Sequence, residues 1–319
     1  MIILRKETLV ALTVVVVLPV VLPSASLATE ILIFAMASLA CNLLLGYAGL
    51  LSFGQGILFG TGAYVGAIAM MRGSVGLLGG MAAAIVAGAI IAAAVGALAI
   101  RRTGIYFVML TLAFAQMAYF AAYTLQGWTG GDNGLLDVPR PPLAFFGVDL
   151  VSLADPRLYY GFVAILYVLV FMGAQRVIRS PFGSTLRAIG ENEERAIAVG
   201  YNTRHFKILA FVLSGAVTGL AGVLYAMQLN FAPLGNIDLS MSESIVIMTV
   251  IGGTGSLLGS LLGAGSITLL GDLLSPHWPR WLMALGALLI LVVVFARGGL
   301  WGGLDALVER WINRRGNGR

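Results

Sequence analysis

"NLLLGYAGLLSFGQGILFGTGAYVGAIAM", residues 42–70, is apolar enough to enter a membrane, yet Gly46, Gly49, Gly54 and Gly56 crowd around the polar Ser52 and Gln55. Each glycine costs a helix interior about 1 kcal/mol relative to alanine, so the stretch predicts a helix that ends near Gly49 and restarts near Ser52. Such a break turns free amides and a positive dipole end into the protein interior, where they can hold a carboxylate or carbonyl without a fixed charge. Farther along, Gly56/Gly60 and Gly62/Gly66 stand at GxxxG spacing, which lets backbones approach closely and is read as packing.

The rest of the chain sets that break in lipid. Its 319 residues are 59% hydrophobic and 10% charged, where soluble domains average about a quarter charged, and the mean hydropathy is +0.96. Apolar runs of membrane-spanning length recur without the alternation of a barrel, and lipid supplies no backbone partners, so the expected fold is an all-α polytopic membrane protein. The spans read 8–27, 29–49, 54–71, 75–100, 103–125, 158–177, 207–229, 242–255, 258–274 and 281–297. The tight pairs around 50 and 256 are short enough to be re-entrant, which makes the count eight to ten. The apolar core Leu9 to Leu22 is followed closely by another apolar run and reads as a retained first span rather than a signal peptide. Cys41 is the single cysteine, so no intramolecular disulfide can form.

The 19 Lys and Arg divide 15 to 4 across the two sides if the N-terminus is cytoplasmic, with Arg72, Arg140, Arg157 and Arg280 on the outside. The positive-inside rule then predicts that both termini are cytoplasmic. A single transmembrane domain, 1–319, would carry an external loop at 126–157, a cytoplasmic loop at 178–206 and a cytoplasmic tail at 298–319. Five spans fall on each side of the midpoint, as an inverted repeat would give. "GLLSFGQGILFGTGA" in one half is echoed by "GGTGSLLGSLLGAGS" in the other. Paired interruptions of this kind point to a transport path, here Ser52, Gly54 and Gln55 with Gly252, Gly253 and Thr254.

Several chemistries are excluded or disfavoured. "GGTGSLLG", 252–259, follows no strand and is not read as a dinucleotide loop. No GxxxxGK[ST] loop exists, since the only lysines are Lys6 and Lys207. His205 and His277 have no ligand-spaced companions, so no metal is expected. The acids fall in loops or at span ends; Glu243 and Asp272 come nearest to mid-span and are read as solvated helix ends. The loop "RSPFGSTLRAIGENEERAIAVGYNTRH" reads as one short helix with Leu186 and Ile189 on a face. It suits either a solvated surface or a partner's groove.

Two stretches, "ENEERAIAVGYNTRHFKILAFVLSGAVTGLAGVLYA" (191–226) and "NLLLGYAGLLSFGQGILFGTGAYV" (42–65), together resemble the second permease subunit of branched-chain amino acid ABC importers. "TGGDNGLLDVPRP" (129–141) is similar to the external-loop motif of that family. The resemblance implies a non-enzymatic permease of the cell inner membrane that binds no cofactor itself. It would pair with a homologous permease, two cytoplasmic ATP-binding subunits and an extracytoplasmic solute-binding protein, to import amino acids across the lipid bilayer; no nucleic acid is implied. Glu194, Ala196 and Gly200 match the E-A-A-x-x-x-G coupling motif, with Arg195 replacing the first alanine, and Arg187 lies on the same helix. Asp132 and Asn133 of the external motif would face the binding protein. Urea or short amides are alternative cargo, and an ion-coupled carrier or a membrane scaffold are alternative functions.

Overall fold

Ten membrane-length or near-membrane-length helices form one bundle in a computed structural model, which describes residues 6–73, 75–145, 148–295 and 298–303. They are α1 (Lys6–Val21), α2 (Ala25–Asn42), α3 (Gln55–Arg72), α4 (Leu77–Ala99) and α5 (Ile105–Thr124) in the first half. After the short α6 (Gln126–Thr129) and a hairpin of β1 (Leu143–Phe145) and β2 (Val148–Val151) comes α7 (Pro156–Ile178). Two short helices, α8 (Pro181–Glu191) and α9 (Glu193–Ala198), then precede α10 (Thr203–Leu229), α11 (Leu239–Gly252), α12 (Leu257–Leu274) and α13 (Trp281–Phe295). The expected tail lies outside the described residues beyond 303, as does Arg5.

Polar side chains set many of the helix starts. Ser24, Asp155, Ser180, Asn192, Asn202, Asp238 and Ser256 each accept a hydrogen bond from an amide in the first turn of the helix that follows. Asn192 also corrects the expectation of a single helix over 183–200. Its backbone is extended and its Oδ1 caps Arg195, so the loop folds as two helices.

α2 and α10 run antiparallel through the centre, while α1, α4, α5, α7 and α13 surround them and expose apolar side chains such as Val20, Val86, Met109, Ile165 and Ile290. Apolar side chains gain nothing by leaving lipid for lipid-like surroundings, so close backbone contact holds such a bundle together. Glycine provides it here: a Cβ at Gly62 would overlap the Gly219 carbonyl, one at Gly88 the Gly215 carbonyl, and one at Gly222 the Phe59 carbonyl. α3, α4 and α10 thereby become a single slab.

Both halves contain a segment that turns back into the bundle. α2 continues through a π-helical turn, Leu43–Tyr47, to the end of the molecule that carries α8. Residues 48–54 then climb back without helix, and α3 starts at Gln55. From the opposite end, residues 230–238 descend from the top of α10 until Ile237 meets Gly60 and the Asp238 carbonyl meets Gly56. α11 starts there and runs the other way.

Candidate functional site

Where these two segments meet, three helices donate polar groups to one point. The Gln55 Nε2 donates to Ser214 Oγ at 3.3 Å and its Oε1 accepts from Thr218 Oγ1 at 3.0 Å. Ser214 is eleven residues in from Thr203 and Thr218 eleven from Leu229, so Gln55 sits halfway along α10, about 20 Å from either end. The Gly56 amide donates to Ser242 Oγ of α11 at 2.7 Å. The first turns of α3 and α11 are therefore joined, antiparallel, at mid-depth.

The expected free amides are largely spoken for. Gly54 N donates to Ser52 Oγ at 3.1 Å, Phe53 N to Thr111 Oγ1 at 3.2 Å and Leu239 N to Asp238 Oδ1 at 2.7 Å. Ser52 and Gln55 are buried, at 2% and 0% exposure. Serine is short enough to reach back to an amide two or three residues on, which is why it caps ends that a ligand would otherwise need to satisfy.

Gly252, Gly253 and Thr254 lie elsewhere. Along α11 they begin about 15 Å from the Ser242 junction, at the α8 end of the bundle. There the turn 253–256 is tied to the end of α2. Asn42 Nδ2 donates to the Ser256 carbonyl at 2.7 Å and to Ser260 Oγ at 3.2 Å, and the Gly255 amide donates to Asn42 Oδ1 at 2.8 Å. Tyr47 OH donates to the Gly255 carbonyl at 2.7 Å. A Cβ at Gly46 would overlap the Gly255 amide. The two glycine-rich echoes thus meet each other, but as a clamp at one end; the counterpart of 48–54 is 230–238.

The short helices sit directly under the first break. Leu186 and Ile189 of α8 are buried, and a Cβ on Gly190 would come 2.6 Å from the Tyr47 carbonyl. Gly49 faces it with φ +66°, a left-handed conformation that glycine adopts freely, and a Cβ there would lie 3.3 Å from the Gly190 carbonyl. The Arg187 guanidinium stacks 5.3 Å from the centre of the Tyr47 ring. α9 turns its other way. Ala196 is buried and Glu193 pairs with the buried Lys207 at 2.5 Å, while Glu194, Ile197, Val199, Gly200 and Tyr201 are exposed.

At the opposite end, Asp132 and Asn133 are exposed on a 3-10 turn, Gly131–Asn133, beside a bridge between Leu135 and Ala232. Arg140 anchors the segment by donating Nε to the Met227 carbonyl at 2.5 Å and Nη2 to the Gln228 carbonyl.

Sequence reasoning missed Gly190, Asn42, Ser214, Thr218 and Ser242. Asn42 and the Ser214/Thr218 pair carried a signal: a lone amide in an apolar run, and two hydroxyls four apart on one face of a span. Gly190 and Ser242 carried none.

A break in each half, meeting at mid-depth, is the architecture of a transport protein, and known proteins agree. A family model described as branched-chain amino acid transport system / permease component matches residues 24–294. The chain belongs to that family. This permease is 28% identical over 298 residues to the high-affinity branched-chain amino acid transport system permease protein LivM of Escherichia coli (strain K12), covering 86% of this chain and 69% of that one. The Salmonella typhimurium protein of the same name is 28% identical over 300 residues, covering 87% and 69%. It is also 31% identical over 180 residues to the autoinducer 2 import system permease protein LsrC of Yersinia pestis (strain Pestoides F), covering 52% of this permease and 49% of that protein. No solved structure matches. This chain is accordingly a multi-pass permease component of a transport system.

Proposed function

We propose that this permease imports branched-chain or similar hydrophobic amino acids as one of two homologous permease subunits of an ABC importer. Two ATP-binding subunits would drive it and a solute-binding protein would feed it. Support for the amino-acid cargo comes from the resemblance to the branched-chain permeases, while the autoinducer 2 permease among its relatives marks cargo as the variable part.

The contact of Gly190 with Gly49 carries the mechanism. α8 bears on the first residue of the segment that leads to Gln55, so a push on α8 and α9 moves the end of α2 and the start of α3 together. Glu194, Ala196 and Gly200 would form the docking surface for the ATP-binding subunit: Ala196 holds α9 against the bundle and Glu194 and Gly200 face out. Arg187 would transmit through Tyr47. The α8 end is the cytoplasmic one in this reading, supported by the basic residues gathered there, with both termini on that side and the protein in the inner membrane. Asp132 and Asn133 would then meet the binding protein outside.

In the state described, Ser52 and Gln55 are sealed by Ser214, Thr218 and their own amides. Rocking of α3 against α10 would break those bonds and present Ser52, Gly54 and Gln55 to the path. Gly252, Gly253 and Thr254 would form the inner mouth of that path. The energy comes from the partners: the sequence has no phosphate-binding loop, and ATP would be bound there. A reconstituted complex with its binding protein tests the reading by ATP-dependent uptake of radiolabelled leucine; uptake without ATP, driven by an ion gradient, would contradict it.

A further inference from the structure

We infer that the carboxylate of Glu243 lines the substrate path at mid-depth and takes the ammonium group of the transported solute. This rests on the importer reading above and names the group that meets one half of a zwitterion.

Depth is fixed by the neighbouring residue. Ser242 accepts from the Gly56 amide beside Gln55, halfway along α10, so Glu243 also lies near the middle of the bundle. Its helix begins there, and Glu243 is exposed five residues into it, as expected of a helix end, but at mid-depth of the bundle rather than at its rim. Orientation follows from what covers the rest of α11. Ile245 and Thr249 are buried, with Thr249 Oγ1 donating to the Ser38 carbonyl of α2 at 3.2 Å, and Ser242 faces α3. Ser240 and Glu243 are exposed on the remaining face, where Ile247 and Val250 are partly covered.

A carboxylate at this depth cannot rest against acyl chains, which offer neither water nor a counter-ion. Among the described residues the ion pairs are Arg179 with Glu7 and Lys207 with Glu193, and neither involves it. Asp238, the other acid at this level, already accepts from the Leu239 amide and from Ser240 Oγ at 2.9 Å. Among the described residues Glu243 is thus a charge at mid-depth without a cationic partner. In the turn that precedes α11, the buried Asn236 keeps Nδ2 without an acceptor.

The test uses the whole transporter with its partner subunits and binding protein in vesicles. Glu243→Gln should lower leucine uptake about tenfold while binding-protein-stimulated ATP hydrolysis stays within about twofold, and Glu243→Asp should retain uptake within about threefold. Glu243→Cys in a Cys41→Ser background should react with a cationic, water-soluble thiosulfonate, and saturating leucine should slow that reaction. Copurification with the partners checks that each variant is assembled. Wild-type uptake in Glu243→Gln overturns the role of Glu243 alone and leaves the importer reading standing. A cysteine at 243 that stays unreactive with and without ATP also overturns it, and would mean that another subunit covers the residue. Failure of the unsubstituted complex to move leucine, with the cysteine still reactive, sinks the amino-acid reading and the ammonium role with it.

Discussion

Residues 48–54 and 253–256 both interrupt apolar helices with glycine and serine, and both begin beside α8, yet they do different work. The first rises from Gly49 to Gln55 and delivers a helix start to mid-depth; the second stays where it begins, held by Asn42 and Tyr47. Their surroundings make the difference. The end of segment 48–54 finds hydroxyl acceptors in Ser52 and Thr111, and the helix start it delivers is held by Ser214, Thr218 and Ser242, away from water. Segment 253–256 finds its partners at once in one asparagine and one tyrosine. Glycine content shows where a chain can break in a membrane; the polar groups nearby decide how far the break travels. The moving part of this permease is therefore expected at 48–54, and the fixed part at 253–256.

The strongest way to break that comparison is to fill the contact between α8 and the moving segment. Gly190→Leu should abolish uptake, because its Cβ meets the Tyr47 carbonyl and overpacking there costs about 1–3 kcal/mol or more. Gly161→Leu, at a site with nothing within 4 Å, should transport normally and serves as the control. Normal uptake in both would remove α8 from the mechanism. Next in size, Glu194→Lys and Gly200→Asp alter the exposed side of α9; each should lower uptake about tenfold while ATP hydrolysis continues, and transport at the wild-type rate would show that the ATP-binding subunit docks elsewhere.

Asn42→Ala sharpens the other side. It removes two donated bonds and one accepted bond from the fixed clamp and should cost about 2–4 kcal/mol, read as a fall in melting temperature of the detergent-purified complex. Gln55→Ala leaves two buried hydroxyls without that partner and should cost less, about 1–2 kcal/mol, but should change the transport rate. A larger stability loss at 55 than at 42 would reverse the assignment of fixed and moving parts.

Much of this fold is legible in the amino-acid sequence. The ten apolar runs each find a helix, eight of them to within about four residues, while the first two runs, 8–27 and 29–49, overshoot the ends of α1 and α2 by six and seven; lipid leaves the backbone no choice but helix, and composition then marks most of the ends. The break at 46–56 is legible for the same reason: glycines and two polar residues conflict with an apolar helix. Depth is not. A run of fourteen residues such as α11 looks like a short crossing, and only the meeting of Ser242 with Gly56 shows that it starts halfway through. Composition and spacing put Glu243 at an exposed helix end, where it lies, but give no sign of its depth. The internal echo misleads in a similar way, since matching glycines pair 252–266 with 49–63, whereas the structural counterpart of 48–54 is 230–238, which resembles neither in composition. Gly190 is one glycine among 42 and gains meaning only from what lies against it.

The most direct test of the moving segment is the reactivity of a cysteine at Ser52 in a Cys41→Ser background, measured in the assembled transporter with a water-soluble thiol reagent. Buried here at 2% exposure, the position should be unreactive at rest and become reactive when ATP and the loaded binding protein drive turnover. A cysteine that stays unreactive in every state of the cycle would contradict the account and reduce 48–54 to packing.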